Sequence, residues 1–344
     1  MDLETLGWDA ARQAELDRLG PAGLRPARVA AASRGRYRLL AEEDLGWVTC
    51  RGRMVEVPGV GDWVLCSEVI EHLLERRSVF ERKAAGKSSA PQVIAANLDR
   101  VFAVTTVGRD FNPRRLERYL AVIWSSGAEP VVVVNKADQP HDPAALLEEL
   151  EIAAMGVTCV FVSALDGTGM EQIIELCPPG KTVALVGSSG VGKSTLVNRL
   201  LGQDRQNIAP IRESDEKGRH TTSAQELLLM PGGAVLIDTP GMRELGLWNA
   251  GDGVEATFAD ILKIAAACRY RDCTHQSEPG CAVLKAVETG EIKPERLESF
   301  HRLQREIEYN QRRSSSQYKN PKRRWKQISK LVRQKQKIDQ NSRD

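Results

Sequence analysis

The pattern of apolar and polar positions changes character several times along the 344 residues. Up to about residue 33, the amphipathic stretch LGWDAARQAELDRLG predicts one short helix followed by a linker. From Arg34 to about Arg82, short runs rich in β-formers (RYRLLA, GWVTC, MVEV, DWVLCSEVI) are broken by Gly, Pro and Asp turns such as VPGVGD. Short strands with frequent turns predict a small barrel or sandwich. Residues 83–91, KAAGKSSAP, have linker composition. Then apolar runs alternate with helical ones. DRVFAVTTV, EPVVVVN, VTCVFVSA and KTVALVG each precede a helix-like stretch, respectively PRRLERYLAVIWSSG, DPAALLEELEIAAM, GMEQIIELC and KSTLVNRLLG. AQELLLM and GAVLIDT add two further strands. Strands apolar on both faces, with helices between them, predict a parallel α/β sheet. Beyond about residue 250 the pattern is helical, with a cysteine-rich interruption and a basic end. The plan is therefore a helical extension (1–33), a β-domain (34–82), an α/β domain (92–250) and a helical domain with a basic tail (251–344).

Residues 187–194 match G-x-x-x-x-G-K-[ST], between an apolar strand and an amphipathic helix, as a phosphate loop requires. Gly187, Ser188, Ser189, Gly190, Val191 and Gly192 would turn backbone N–H groups toward phosphate oxygens at a helix N-terminus. Lys193 would reach the β- and γ-phosphates, and the Ser194 hydroxyl, followed by Thr195, would ligate Mg²⁺. Asp238 ends the strand GAVLIDT, where a carboxylate is expected to hold Mg²⁺ through water, and Gly241 can offer its N–H to a γ-phosphate. GRHTT (218–222) closes a polar stretch between them, and either Thr221 or Thr222 would complete the Mg²⁺ shell.

A second pair of loops addresses a base. Asn135, Lys136, Ala137 and Asp138 follow four valines, at the carboxyl end of a strand, where open α/β sheets bind ligands. Asn135 and Asp138 are spaced to meet one purine edge. The Asp138 carboxylate would accept from guanine N1–H and its exocyclic amine, a pair adenine lacks, while Lys136 lays its stem along the ring. Ser163-Ala164-Leu165 follows the next strand and reads as a loop backing the base. All the parts of a guanine-nucleotide site are present, but in rotated order, with the base loops before the phosphate loop. Domain termini often lie close together, so circular permutation is tolerated. The chain beyond DTPGMREL is then tied to the γ-phosphate sensor.

Composition narrows the setting. No apolar run approaches a membrane span and the N-terminus lacks a signal-peptide core, so a cytoplasmic protein is expected. Cys50, Cys66, Cys159 and Cys177 stand singly and read as packing residues. Cys268, Cys273, His275 and Cys281 form C-x4-C-x-H-x5-C, a donor set suited to structural tetrahedral Zn²⁺, or else a redox pair beside a bystander His. The net charge of +2 hides a basic end: residues 301–344 hold fourteen Lys and Arg against four Asp and Glu. Tyr309, Tyr318 and Trp325 interleave with these cations, as RNA binding would use, although a solvated basic helix reads the same way. After DTPG stands Met242, which cannot orient water. His220 is the candidate within the chain, unless a partner supplies the group.

The rotated motifs, with VGDWV, AANLDRV, FNPRRLERYL, GRHTT, DTPGMRELGLW and the cysteine cluster, resemble the RsgA (YjeQ/YloQ) family of circularly permuted GTPases over nearly the whole chain. The resemblance implies an OB fold for 34–82, a circularly permuted P-loop GTPase domain and a C-terminal zinc-binding helical domain. It implies the catalytic role for His220, Zn²⁺ at the four-residue cluster, and Mg²⁺ with GTP. It also implies action on the small (30S) ribosomal subunit and its 16S rRNA, in late maturation, with release on hydrolysis. A monomer suffices for this. The alternative is an RNA-binding module that holds GTP as a structural ligand.

Overall fold

The structure is a computed structural model that describes residues 2–20, 23–52, 54, 56–83, 91–202, 225–238 and 251–318. His220, Thr221, Thr222, Gly241, Met242 and Trp325 lie outside the described residues.

Nucleotide chemistry needs a rigid sheet, and four valines begin it. Strand β9 (Glu129–Asn135) is buried from Pro130 onward. Val131 and Val133 pack into one apolar cluster, Val132 and Val134 into another on the opposite face. This is why the run is unbroken rather than alternating: helices cover both sides. β9 lies parallel between β8 (Arg100–Thr106) and β10 (Thr158–Phe161). On its other edge β8 pairs in parallel with β11 (Thr182–Gly187), and β11 with β13 (Val235–Asp238). The order β10-β9-β8-β11-β13-β12 is completed by β12 (Glu226–Leu229). β12 is antiparallel to β13, against the all-parallel expectation, because a short turn joins them.

The helices divide between the faces. α2 (Pro113–Ser126) and α3 (Pro143–Ala153) contribute to the first cluster; α4 (Met170–Glu175) and α5 (Lys193–Leu200) to the second. The connections after neighbouring strands β8 and β11 therefore leave to opposite faces. That opens a crevice beyond the strands' carboxyl ends, where α/β folds bind ligands.

The N-terminal region differs from the sequence reading at several points. Helix α1 (Ala10–Leu19) is present, but the linker expected before residue 34 contains a strand, β1 (Arg25–Ser33). β1 is central to its sheet: it pairs with β2 (Arg36–Leu40) and β4 (Trp63–Cys66), and touches β12 at Ala31 opposite Glu226. β2 pairs with β3 (Asp44–Thr49), and β4 with β5 (Ile70–Leu73). A bridge from Cys50 to Ile70 joins the end of β3 to β5, so the five strands close on themselves around Val29, Leu39, Val64 and Ile70. Of the expected MVEV strand, the described residues Met54, Glu56 and Val57 lie outside any strand. The expected linker at 83–91 joins two paired strands, β6 (Val79–Lys83) and β7 (Pro91–Ala96), with Lys83 opposite Pro91.

The C-terminal helices α6 (Gly251–Thr257), α7 (Ala259–Ala265), α8 (Ala282–Glu288) and α9 (Pro294–Tyr318) share the apolar cluster of α2 through Phe258, Ile261, Val283, Phe300 and Leu303, with α6 packed directly on α2 and α7 between α6 and α8. Gly253 of α6 sets the contact: an added Cβ would lie 1.9 Å from the Ala121 carbonyl oxygen of α2. A buried ion pair locks α9 to the same helix. Arg296 Nη1 donates to Glu117 Oε1 (2.8 Å), Arg296 Nη2 to the Thr257 carbonyl (2.7 Å) and to Asp260 Oδ1 (3.0 Å), and the guanidinium lies 4.3 Å from the Phe258 ring centroid.

Candidate functional site

Three of the expected loops meet at the carboxyl ends of β9, β10 and β11, and one side chain ties them. Asn135, 2% exposed, ends β9. Its Nδ2 donates to the Val191 carbonyl of the phosphate loop (2.8 Å), and its Oδ1 accepts from the Ala164 N–H of the backing loop (2.9 Å). One N–H of the Asn135 amide and one lone pair of its oxygen are thus used inside the protein. The second Nδ2 N–H remains for the purine edge expected of Asn135, so tying the loops and meeting a base are compatible. Asp138 is exposed and open to a ligand. Between them Lys136 adopts a left-handed backbone (φ 62°), which turns the chain sharply at the strand end. The Ala137 N–H donates to the Val162 carbonyl (3.0 Å) and so fastens the base loop to the strand end beside it.

The phosphate loop runs from β11 into α5. Ser189, Gly190, Ser194 and Thr195 are exposed, Ser188, Gly192 and Lys193 half-buried, and Val191 is buried as the loop's anchor. Gly192 takes φ 95°, and a Cβ there would fall 2.2 Å from Asn135 Nδ2. The glycine is therefore required by its approach to the base loop. Lys193 Nζ donates back to the Gly187 carbonyl (2.7 Å) and to the Ser188 carbonyl, so the ammonium sits over the loop. The Tyr119 hydroxyl of α2 reaches Ser188 Oγ at 3.4 Å. Asp238, half-buried, ends β13 beside β11.

The backing loop is closed on itself. Ser163, fully buried, donates its N–H to the Thr168 carbonyl (2.9 Å), and the Gly167 N–H donates to the Ser163 carbonyl (2.8 Å). The Thr168 N–H, then its hydroxyl, hold the Asp166 carboxyl below its ordinary range. Leu165 at the tip is 77% exposed. Arg199, in the last turn of α5, donates from Nε to the Ala164 carbonyl (2.9 Å) and from Nη2 to the Leu165 carbonyl. Sequence reading did not single out Arg199. Its one signal was a cation six residues past Lys193, which helical spacing alone does not direct at another loop.

The second expected cluster also assembles. Cys268, Cys273, His275 and Cys281 place their donor atoms within 4.8 Å of one another. Cys268 Sγ lies 3.6 Å from His275 Nδ1 and 3.9 Å from Cys281 Sγ, and Cys281 Sγ lies 3.4 Å from His275 Nδ1. Zinc bonds of about 2.3 Å to sulfur and about 2.0 Å to nitrogen set tetrahedral edges of roughly 3.5–3.8 Å, so the residues fit that ion. Backbone N–H groups also point at sulfur: Ala282 at Cys268 (3.3 Å) and Leu284 at Cys281 (3.4 Å). His275 takes a left-handed backbone (φ 58°) to bring Nδ1 inward. Four protein donors make a closed site without an open position for catalysis. The four scattered cysteines are inert by contrast. Cys66 and Cys177 are buried, Cys50 and Cys159 half-buried, and burial pushes the Cys177 thiol up to about 12 and that of Cys159 to about 11. Tyr309 is exposed on α9, and Tyr318 is its last residue.

Comparisons with known proteins agree with this geometry. A family model described as RsgA GTPase matches residues 73–248, a span that holds the base, backing and phosphate loops and stops short of the cysteine cluster. A small ribosomal subunit biogenesis GTPase RsgA of Opitutus terrae is 42% identical over 98% of this chain and 99% of its own length. One of Methanosarcina acetivorans is 49% identical over 76% of this chain and 73% of its own. Among solved structures, YjeQ from Thermotoga maritima superposes with a TM-score of 0.62 at 28% identity, covering 83% of this chain and 98% of that one. YloQ, described as a circularly permuted GTPase, gives 0.59 at 26% identity, covering 83% of this chain and 96% of that one.

Proposed function

The chain belongs to the RsgA GTPase family, with its circularly permuted GTPase fold, and from that premise we propose that it uses GTP as a timing switch in small-subunit assembly. It is a GTPase. In this reading it binds the small (30S) subunit and its 16S rRNA in the GTP state, acts in late maturation and is released on hydrolysis. The observation that carries it is the Asn135 amide, which joins base loop, backing loop and phosphate loop into one nucleotide seat although they are rotated in the chain.

Each residue has its share of the work. Asp138 accepts from guanine N1–H and the 2-amine. Backbone N–H groups of 188–194 and the Lys193 ammonium hold the phosphates. Mg²⁺, held by Ser194, by Asp238 through water and by Thr221 or Thr222, would neutralise phosphate charge. His220 orients the attacking water in place of the side chain that Met242 cannot provide, and Gly241 offers its N–H to the γ-phosphate. Zn²⁺ at Cys268, Cys273, His275 and Cys281 is structural, and it pins a helical unit too small to rest on its own core. The closed five-stranded unit supports an OB reading of the N-terminal domain, now begun at β1 rather than at residue 34. The basic tail adds phosphate attraction. The protein works as a cytoplasmic monomer; among the described residues no helix is long and apolar enough to cross a membrane.

The test is GTP hydrolysis with and without purified small subunits, with ATP and His220→Ala as controls. Stimulation specific to GTP and lost in the variant is expected. Stimulation that survives in His220→Ala moves the water-orienting role elsewhere, and GTP bound but uncleaved in the presence of subunits sinks the switch.

A further inference from the structure

The backing loop's internal hydrogen bonds fix its shape but not its place. Bonds from Ser163 to Thr168 and from Gly167 to Ser163 would survive if the whole loop swung as a unit. Its place is set from outside, at the peptide groups around Ala164. The Ala164 N–H is held by Asn135 Oδ1 from β9, and the Ala164 carbonyl by Arg199 Nε from α5. The same guanidinium takes the next carbonyl, that of Leu165. A last-turn arginine can bond its own helix's terminal carbonyls. Here Nε and Nη2 reach across to another loop, and the space is kept for them: a Cβ at Gly167 would lie 3.1 Å from Arg199 Nη1.

We propose that Arg199 is a positioning residue for base recognition, a clamp that indexes the base-backing loop to the phosphate-loop helix. The inference rests on the reading of Asn135–Asp138 and Ser163–Leu165 as base-side loops. α5 begins at Lys193, so the helix that carries the phosphate anchor at one end holds the base wall at the other. The distance between the two halves of the nucleotide seat is then fixed by one rigid helix and a planar two-donor fork. The exposed Leu165 side chain stands at the tip of the clamped loop, where a bound base would cover it. Arg199 touches neither the scissile phosphate nor the attacking water, so its loss should act on binding. Lysine keeps the charge but offers a point donor in place of the fork.

The experiment measures KM and kcat for GTP, ITP and XTP on the full chain, for wild type, Arg199→Gln, Arg199→Lys and, as a control on the base site, Asp138→Asn. Loss of two charge-assisted bonds predicts a KM for GTP raised about tenfold or more in Arg199→Gln, with kcat nearly unchanged. Arg199→Lys, which keeps the charge, should fall between and show the same split. Asp138→Asn should move preference from GTP toward XTP, because the amide donates to the 2-carbonyl of xanthine. If Asp138→Asn behaves so while both Arg199 variants keep the wild-type KM, or lose kcat with KM unmoved, the clamp is wrong and the base site stands. If Asp138→Asn leaves the preference untouched, the base-loop reading falls and the clamp with it. Should the Gln variant fail to fold, the Lys variant decides.

Discussion

A methyl group at position 192 has nowhere to go. Its carbon would stand 2.2 Å from Asn135 Nδ2, on a residue whose backbone is already left-handed. Either the phosphate loop retreats or the Asn135 amide turns and drops its bonds to Val191 and Ala164. Gly192→Ala should therefore cost GTP at least about tenfold in affinity, since one of those bonds leaves a buried amide unpaired. Titration with a fluorescent guanine nucleotide, alongside a far-ultraviolet spectrum that stays at wild type, would establish it; wild-type affinity would remove Asn135 from the centre of the site. The sequence named both residues, yet for partly different reasons. Spacing made Asn135 a reader of the purine edge, and packing adds a second task, the tie between loops. Motifs record which residue types a site needs at which intervals. Which atoms face the ligand depends on side chains from other elements, and Arg199 was invisible for the same reason: nothing near it in the chain names its acceptors.

At the scale of elements, Asp9 shows a local signal and a distant one on the same carboxylate. It caps α1, accepting from the Arg12 N–H at 3.0 Å, and it takes two donors from Arg77, one of them at 2.7 Å. The Arg77 hydrogen bond, foremost, holds the Asp9 carboxyl well below its ordinary range. A depressed folded-state pKa contributes stability that is present above the unfolded value of about 4 and is lost as pH falls through the acid range. Asn keeps most of the capping and loses the charge. Asp9→Asn should thus melt below wild type at pH 7, with the gap constant down to about pH 4 and narrowing steadily below it. A gap independent of pH would mean that shape, not charge, is what Arg77 recognises. The strands of the GTPase sheet were legible because both of their faces are buried, and unbroken valines say so. β1 was not. RPARVAAAS has a proline and a run of alanines, poor β-formers, and it becomes a strand because β2, β4 and β12 pair with it. The pairing of β6 with β7 was hidden in the same way, because KAAGKSSAP between them reads in sequence as the end of a domain.

Across the whole molecule, the C-terminal helices follow β13, the last strand of the GTPase sheet, in the chain, and the fold seats them against α2, the helix that also reaches Ser188. What locks that seat is charged and dry. Arg296 is 2% exposed and Glu117 3%, and Ser299 Oγ donates to the second oxygen of the same carboxylate. Burial pushes the Glu117 carboxyl up, against the pull of Ser299 and Arg296. A buried carboxylate tolerates this only while its cation is present. Removing that cation leaves an uncompensated charge, so Arg296→Ala should lower stability by about 3–5 kcal/mol. Much of the loss is the penalty on Glu117 rather than the value of the pair. Adding Glu117→Gln to Arg296→Ala should then recover part of the stability, although it deletes a second member of the network. Urea midpoints of the wild type, both single variants and the double variant measure this directly. A double variant no more stable than Arg296→Ala would mean that the loss comes from the contacts Arg296 makes with Thr257, Asp260 and Phe258, and not from an unpaired Glu117.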